Sequence, residues 1–172
     1  RLNIAGKAIP WQDTIKILGV NFDQRLTFND HVDEIVHRAE VSLTKLAKVT
    51  RRRFGLNTEV ALTAYKTLVR SIMQYGCPAW IGTSSGNLTQ LERVQNRALR
   101  QALRAPPDTP IVELQAATRV PSLTSFLTRL TGNFVERAIA NDTAVGGFIR
   151  QHLSIDQRLY GRVYVPPLSK VK

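Results

Sequence analysis

The feature that most constrains this chain is a change of period at Asn29. From there Val32, Ile35, Val36, Ala39, Leu43 and Leu46 recur at i, i+3, i+4, i+7, i+11 and i+14, the spacing that places apolar side chains on one face of an α-helix. The spacing predicts a helix from about residue 29 to about residue 52, ended before Gly55. Before Asn29 the pattern is that of short strands. Leu2 and Ile4 precede a turn at Ala5-Gly6-Lys7, Ile9 and Trp11 follow, and Thr14-Ile15-Lys16-Ile17-Leu18-Gly19-Val20 is rich in β-branched residues. Two or three strands cannot stand alone, because their apolar face needs a covering layer. They read as the edge of a sheet whose remainder lies upstream of Arg1.

The helical signal continues downstream. A second helix starts near Thr58 and is expected to bury Ala61, Tyr65, Leu68, Val69, Ile72 and Met73, stopping at Tyr75-Gly76-Cys77-Pro78. Ser85 or Asn87 caps a third, Leu88 to about Arg104, ended by the turn Ala105-Pro106-Pro107-Asp108. Thr109 followed by Pro110 opens a short fourth helix to about Ala117. Ser122 caps a fifth through Phe126, Leu127, Leu130, Phe134, Ala138 and Ile139. Beyond Asn141 the signal weakens, with a short helix from Phe148 to Leu153 as the remaining element. The expectation is a mainly α protein, a bundle of about five helices preceded by a small amino-terminal β-hairpin element. Its divisions are 1–24 for the β element, 25–141 for the helices and 142–172 for a weakly structured connector.

Charge narrows the function. Of 172 residues 24 are Lys or Arg and 13 Asp or Glu, a formal net charge of +11, which points to a polyanionic partner. Arginine outnumbers lysine 17 to 7, and a guanidinium fork matches phosphate geometry better than an ammonium. Between Arg38 and Arg104 twelve basic residues face only Glu40, Glu59 and Glu92. Arg93, Arg97, Arg100 and Arg104 fall at i, i+4, i+7 and i+11, one stripe opposite Leu91, Val94, Ala98 and Ala102. Arg38, Lys45, Lys48 and Arg52 form a second stripe opposite the apolar face of the first helix, and Arg51-Arg52-Arg53 extends it. Unrelieved like charges at i, i+4 destabilise a helix slightly, a cost that phosphate contact would offset. The rival explanation is a solvated helix face. Membrane contact is disfavoured because the apolar stripes lack interfacial Trp and Phe, and no run of 18 apolar residues occurs.

Catalytic signatures are missing. One cysteine, Cys77, and three histidines, His31, His37 and His152, cannot build a disulfide framework or a Cys/His zinc cluster. No phosphate-binding glycine loop or nucleophile elbow occurs. Asp30, Asp33 and Glu34 suit a helix amino terminus better than a metal pair. His31 and His37 read as surface residues, and Tyr65, Tyr75 and Trp80 as core. No small-molecule ligand is expected.

Four segments in order carry a resemblance. Thr14-Ile15-Lys16-Ile17-Leu18-Gly19-Val20, with Phe22-Asp23, Leu26-Thr27-Phe28 and His31-Val32, comes first. Tyr65-Lys66-Thr67-Leu68-Val69-Arg70-Ser71-Ile72-Met73-Gln74-Tyr75-Gly76 with Trp80 comes second, then Leu91-Glu92 with Val94-Gln95-Asn96-Arg97-Ala98-Leu99-Arg100, then Pro107-Asp108-Thr109-Pro110. Over roughly residues 1 to 140 the chain resembles the region just after the palm of reverse transcriptases from non-LTR retrotransposons, the jockey-like elements in particular. The resemblance implies that Leu18 and Gly19 belong to the primer grip and that the helices form the thumb, which lies against an RNA or RNA/DNA template-primer duplex and adjoins the upstream palm and fingers. The family's paired catalytic aspartates lie upstream of the Leu-Gly turn, and no aromatic-x-Asp-Asp occurs here. The resemblance therefore implies Mg²⁺ for the parent polymerase, no catalytic or metal-holding residue and no cofactor in this piece, and no polymerisation by it alone. It implies an intracellular ribonucleoprotein, cytoplasmic or nuclear. Arg38, Lys45, Lys48, Arg51, Arg52, Arg53, Arg93, Arg97, Arg100 and Arg104 are the candidate nucleic-acid contacts. A free-standing basic RNA-binding module and a helical protein-interaction adaptor are the alternatives.

Overall fold

The computed structural model describes residues 3–4, 6–8, 11–51, 57–141 and 143–152. Four short strands make two separate antiparallel hairpins. The first pairs β1 (Asn3–Ile4) with β2 (Lys7–Ala8), and the second pairs β3 (Thr14–Ile17) with β4 (Val20–Asp23) in the register Thr14↔Asp23 to Ile17↔Val20. Leu18 and Gly19 form the two-residue turn of the second hairpin with φ of 47° and 85°. Two positive φ values in succession match the right-handed twist of the flanking strands.

Asp23 turns the chain from sheet to helix. Its carboxylate accepts backbone N–H bonds from Arg25 (3.0 Å), Thr27 (3.0 Å) and Phe28 (2.6 Å), which hold Leu26 and Phe28 at positive φ. The Thr27 bond leads the interactions that hold this carboxyl below its usual range. Helix α1 (Asn29–Arg51) then buries Val32, Ile35, Ala39 and Leu43, as its period requires.

The second helical rod is α2 (Thr58–Ala64), a π-helical segment (Tyr65–Arg70) and α3 (Ser71–Gln74) in continuous succession. Hydroxyls of Thr63, Thr67 and Ser71 each bond the carbonyl four residues back, on Glu59, Thr63 and Thr67. Such side chains compete with the backbone ladder along this stretch, within which the turn widens to π over Tyr65–Arg70. It shifts the helical phase, so Leu68, expected in the core, is exposed, while Tyr65, Val69 and Met73 are buried.

Gly76 breaks the rod with φ of 62°. The rod stops at this motif, as expected, and Pro78 sits in the first turn of a new helix, α4 (Cys77–Trp80), where its missing N–H costs nothing. Helix α5 (Ser85–Leu103) is capped by Ser84, one residue before the expected cap, because Ser84 Oγ accepts from Asn87 N. Asn87 instead donates to Asn29 and Thr83. Helix α6 (Ile111–Thr118) has no side-chain cap, so Thr109 does not play that part. Helix α7 (Leu123–Ala140) is capped by Ser122 as expected, and Glu92 Oε1 accepts a further first-turn N–H from Thr124 at 2.8 Å. Helix α8 (Ala144–His152) starts four residues before the expected Phe148 and packs on α7.

One core joins β4, α1, the rod, α4, α5 and the amino-terminal half of α7, centred on Trp80, Tyr65, Met73, Leu91, Leu99, Leu123 and Leu127. Gln95 is fully buried in it, taking a 2.7 Å bond from the Tyr65 hydroxyl and donating at 2.9 Å to the Pro121 carbonyl. Among the described residues no helix is long and apolar enough to cross a membrane.

Candidate nucleic-acid interface

The β3–β4 turn is held from below by the end of the rod. Tyr75 Oη donates to the Leu18 carbonyl at 2.8 Å, and the Tyr75 ring lies 3.3 Å from where a β-carbon on Gly19 would sit. Next to it, a β-carbon on Gly76 would approach Val20 Cγ2 to 2.9 Å. Glycine at Gly76 is thus required twice, by its positive φ and by the closeness of buried Val20, and at Gly19 by its positive φ beside a tight contact. Leu18 itself is 86% exposed, presented at the tip. Tyr75, expected in the core, is 57% exposed and serves as the latch.

The hairpin is also tied to α1. Glu34 accepts from Lys16 Nζ at 2.8 Å and from Asn21 Nδ2 at 2.8 Å, and the Lys16 bond, followed by the Asn21 bond, holds its carboxyl below the usual range. Arg38 lies one turn on, 3.9 Å from Glu34. His31, expected at the surface, is 3% exposed. Its Nδ1 accepts from Asn21 N at 3.4 Å, its ring meets Trp80 edge to face, and burial pushes its pKa below the ordinary 6.5.

Between hairpin, α1 and α3 is a cleft of about 430 Å³, bordered by Lys16, Gly19, Arg38, Ser71 and Tyr75. Arg38 and Ile72 also border a shallower groove that runs on to His37, Ser42 and Lys45. The cleft at the turn and the groove along the basic flank of α1 thus adjoin at Arg38 and Ile72. Lys16 and His37, absent from the sequence-based candidates, join them only through the fold.

The other candidates lie elsewhere. Lys48 is exposed farther along α1, Arg51 is its last residue, and Arg52 and Arg53 lie outside the described residues. On α5, Arg93 and Arg97 are exposed. Arg97 Nη1 pairs with Glu40 at 3.0 Å. Glu40 is two residues from Arg38, roughly 200° around the helix, so the α5 stripe meets the opposite flank of α1. Arg100 is half-buried and donates to the Thr109 carbonyl at 3.1 Å, tying down the loop after α5. Arg104 adopts φ of 55° as the carboxy-terminal cap, outside the helix. The relief for the like-charged stripe comes from another helix, where single-helix reasoning does not look. Among the described residues no group of three or more His, Cys, Asp or Glu side chains is placed to hold a metal ion.

No protein-family profile and no solved structure matches the chain. Among curated proteins it is 30% identical over 92 residues to the probable RNA-directed DNA polymerase from transposon X-element of Drosophila melanogaster, covering 54% of this chain and 10% of that protein. It is 21% identical over 136 residues to the RNA-directed DNA polymerase from mobile element jockey of the same fly, covering 79% and 15%. A third relative, the Pol polyprotein from type-1 retrotransposable element R1 3 of Nasonia vitripennis, is 28% identical over 114 residues, covering 66% and 28%. These relatives are polymerases of non-LTR retrotransposons, and the chain spans a small fraction of their length.

Proposed function

We propose that this chain is the template-primer-gripping portion of a retrotransposon RNA-directed DNA polymerase, its β3–β4 turn acting as primer grip and its helices as thumb. The observation that carries the reading is the placement of the latched Leu18-Gly19 turn at the head of a cleft lined by Lys16, Arg38 and, through the adjoining groove, Lys45. Cations facing a phosphate backbone position a duplex without reading its sequence. Ile15 and Ile17 of β3 and the flanking Trp11 and Leu26 are all exposed, and the upstream palm is the partner that would cover them.

Nucleotide transfer by two metal ions needs carboxylates to hold them. The aromatic-x-Asp-Asp that the resemblance associates with holding those ions does not occur in this sequence. The chain's own contribution is grip, and labelled nucleotide added to a primed template is expected to remain unincorporated.

The test is fluorescence anisotropy with a labelled RNA/DNA hybrid across a KCl series. Arg38→Gln with Lys45→Gln is expected to weaken binding by about 1 kcal/mol or more and lower the salt slope by roughly one to two units. Affinity and slope equal to wild type would remove the cleft from the interface.

A further inference from the structure

On the other flank of the rod, Arg70 and Arg129 lie over one aromatic ring. The Arg70 guanidinium carbon is 4.2 Å from the Phe126 centroid and that of Arg129 is 5.8 Å from it. Arg70 is half-buried and its Nε is enclosed without a hydrogen-bond partner. No ion pair among the described residues holds either arginine. The groups that face Arg70 are Tyr65 from its own rod and Arg129 from α7, neither an acid, and burial together with Arg129 holds its pKa below the usual guanidinium range. The nearby Glu92 is committed to the Thr124 N–H at the start of α7. Two cations thus share one ring, one of them partly desolvated, with no ion pair to either among the described residues.

Helix packing alone does not call for this. One arginine stacked on Phe126 would join α7 to the rod, whereas the second adds repulsion. Beside Arg129 a groove of about 390 Å³ along α7 adds the donors Thr128 and Asn133, with the carboxylate of Glu136 at its border. Stacking covers the face of a guanidinium and leaves its N–H edge to fork onto an anion.

We propose that Arg70 and Arg129, organised by Phe126, form a second phosphodiester-binding site that engages the nucleic-acid backbone on the flank opposite the Arg38–Lys45 cleft. The flanks are fixed by contacts: the Leu68 carbonyl accepts from Ser42 of α1 and Ile72 lines the cleft, while Arg70, between them in sequence, packs on α7. The site rests on the nucleic-acid reading above and extends it, since backbone held on both flanks clamps the strand to the rod. Phosphate is favoured over an acidic protein segment because two guanidinium groups share one ring beside hydroxyl and amide donors.

The full chain and a fluorescein-labelled RNA/DNA hybrid, titrated over a KCl series, test it. Arg70→Gln with Arg129→Gln is expected to weaken binding about five-fold or more and lower the salt slope by roughly one to two units. Combined with the Arg38 and Lys45 changes, the losses should add. Unchanged affinity and slope, with the Arg38/Lys45 variant still impaired, would overturn the second site and leave the cleft reading intact. Wild-type chain that does not bind the hybrid would overturn both. If the double variant does not fold, Arg129→Gln alone decides, because that side chain is exposed: a slope lower by about one supports the site, and an unchanged slope overturns it.

Discussion

Replacing Gly76 by alanine tests whether the hairpin is seated as the structure requires. Two costs are built into the site. The backbone φ of 62° is left-handed, which costs an L-residue about 1–2 kcal/mol. The new methyl would lie 2.9 Å from Val20 Cγ2, and Val20 is 5% exposed with little room to retreat; overpacking of this kind costs about 1–3 kcal/mol. The expected loss is about 3 kcal/mol in urea unfolding followed by far-ultraviolet circular dichroism, against the roughly 5–15 kcal/mol that holds a domain folded. Val20→Ala alone should cost about 1–3 kcal/mol through lost burial and the space left behind. That same space accepts the methyl introduced by Gly76→Ala, so the double variant should be more stable than the sum of the singles by about 1–2 kcal/mol. Additivity within about 0.5 kcal/mol would show that the two residues do not touch and that the latch is wrongly placed.

Tyr65→Phe leaves Gln95 Oε1 without its donor in a fully buried position and should cost about 1–3 kcal/mol in the same assay; a cost under about 0.5 kcal/mol would mean the bond is not made. Cys77 is fully buried, and burial pushes its thiol up; alkylation by iodoacetamide should therefore be suppressed in the folded chain and accelerated in Gly76→Ala, and a native rate equal to that of a small free thiol would contradict the core. Burial keeps His31 below 6.5 in the folded state. As pH falls the unfolded chain takes up that proton first, so His31 should cause stability to decline from just above 6.5 down to its folded pKa, and His31→Asn should flatten that part of a pH series of urea midpoints. An unchanged slope would place the titration elsewhere.

The helices were legible because apolar period and caps are local. Ser122 caps α7, and the Val32-to-Leu43 stripe is buried as read. The Leu18-Gly19 turn was legible too, since glycine following an alternating run marks a place where φ must turn positive. What escaped was set by the fold as a whole. Tyr75 is an aromatic in an apolar context, and only its bond to a carbonyl 57 positions away makes it a latch. His31 reads as polar, and its burial depends on Trp80 arriving from another helix. Leu68 fits the buried face only of a straight α-helix, and the chain is π-helical over Tyr65–Arg70, which apolar spacing does not reveal.

Charge separates what sequence spacing can decide from what it cannot. Spacing placed Arg97 and Arg100 among equals on one stripe, yet one is neutralised by Glu40 and the other is spent on the Thr109 carbonyl. On α1 the same logic put Arg38, Lys45 and Lys48 together, and Glu34 reaches only Arg38, loosely, while closing tightly on Lys16. The carboxylates are thus placed where they fasten one element to another: hairpin to α1 through Glu34, α1 to α5 through Glu40, α5 to α7 through Glu92. Cations outside those joints, Lys45, Lys48, Arg93, Arg70 and Arg129, have no ion-pair partner among the described residues. Exposed pairs add little stability, so the division costs the fold little and leaves the free positive charge on surfaces that a phosphate backbone can reach.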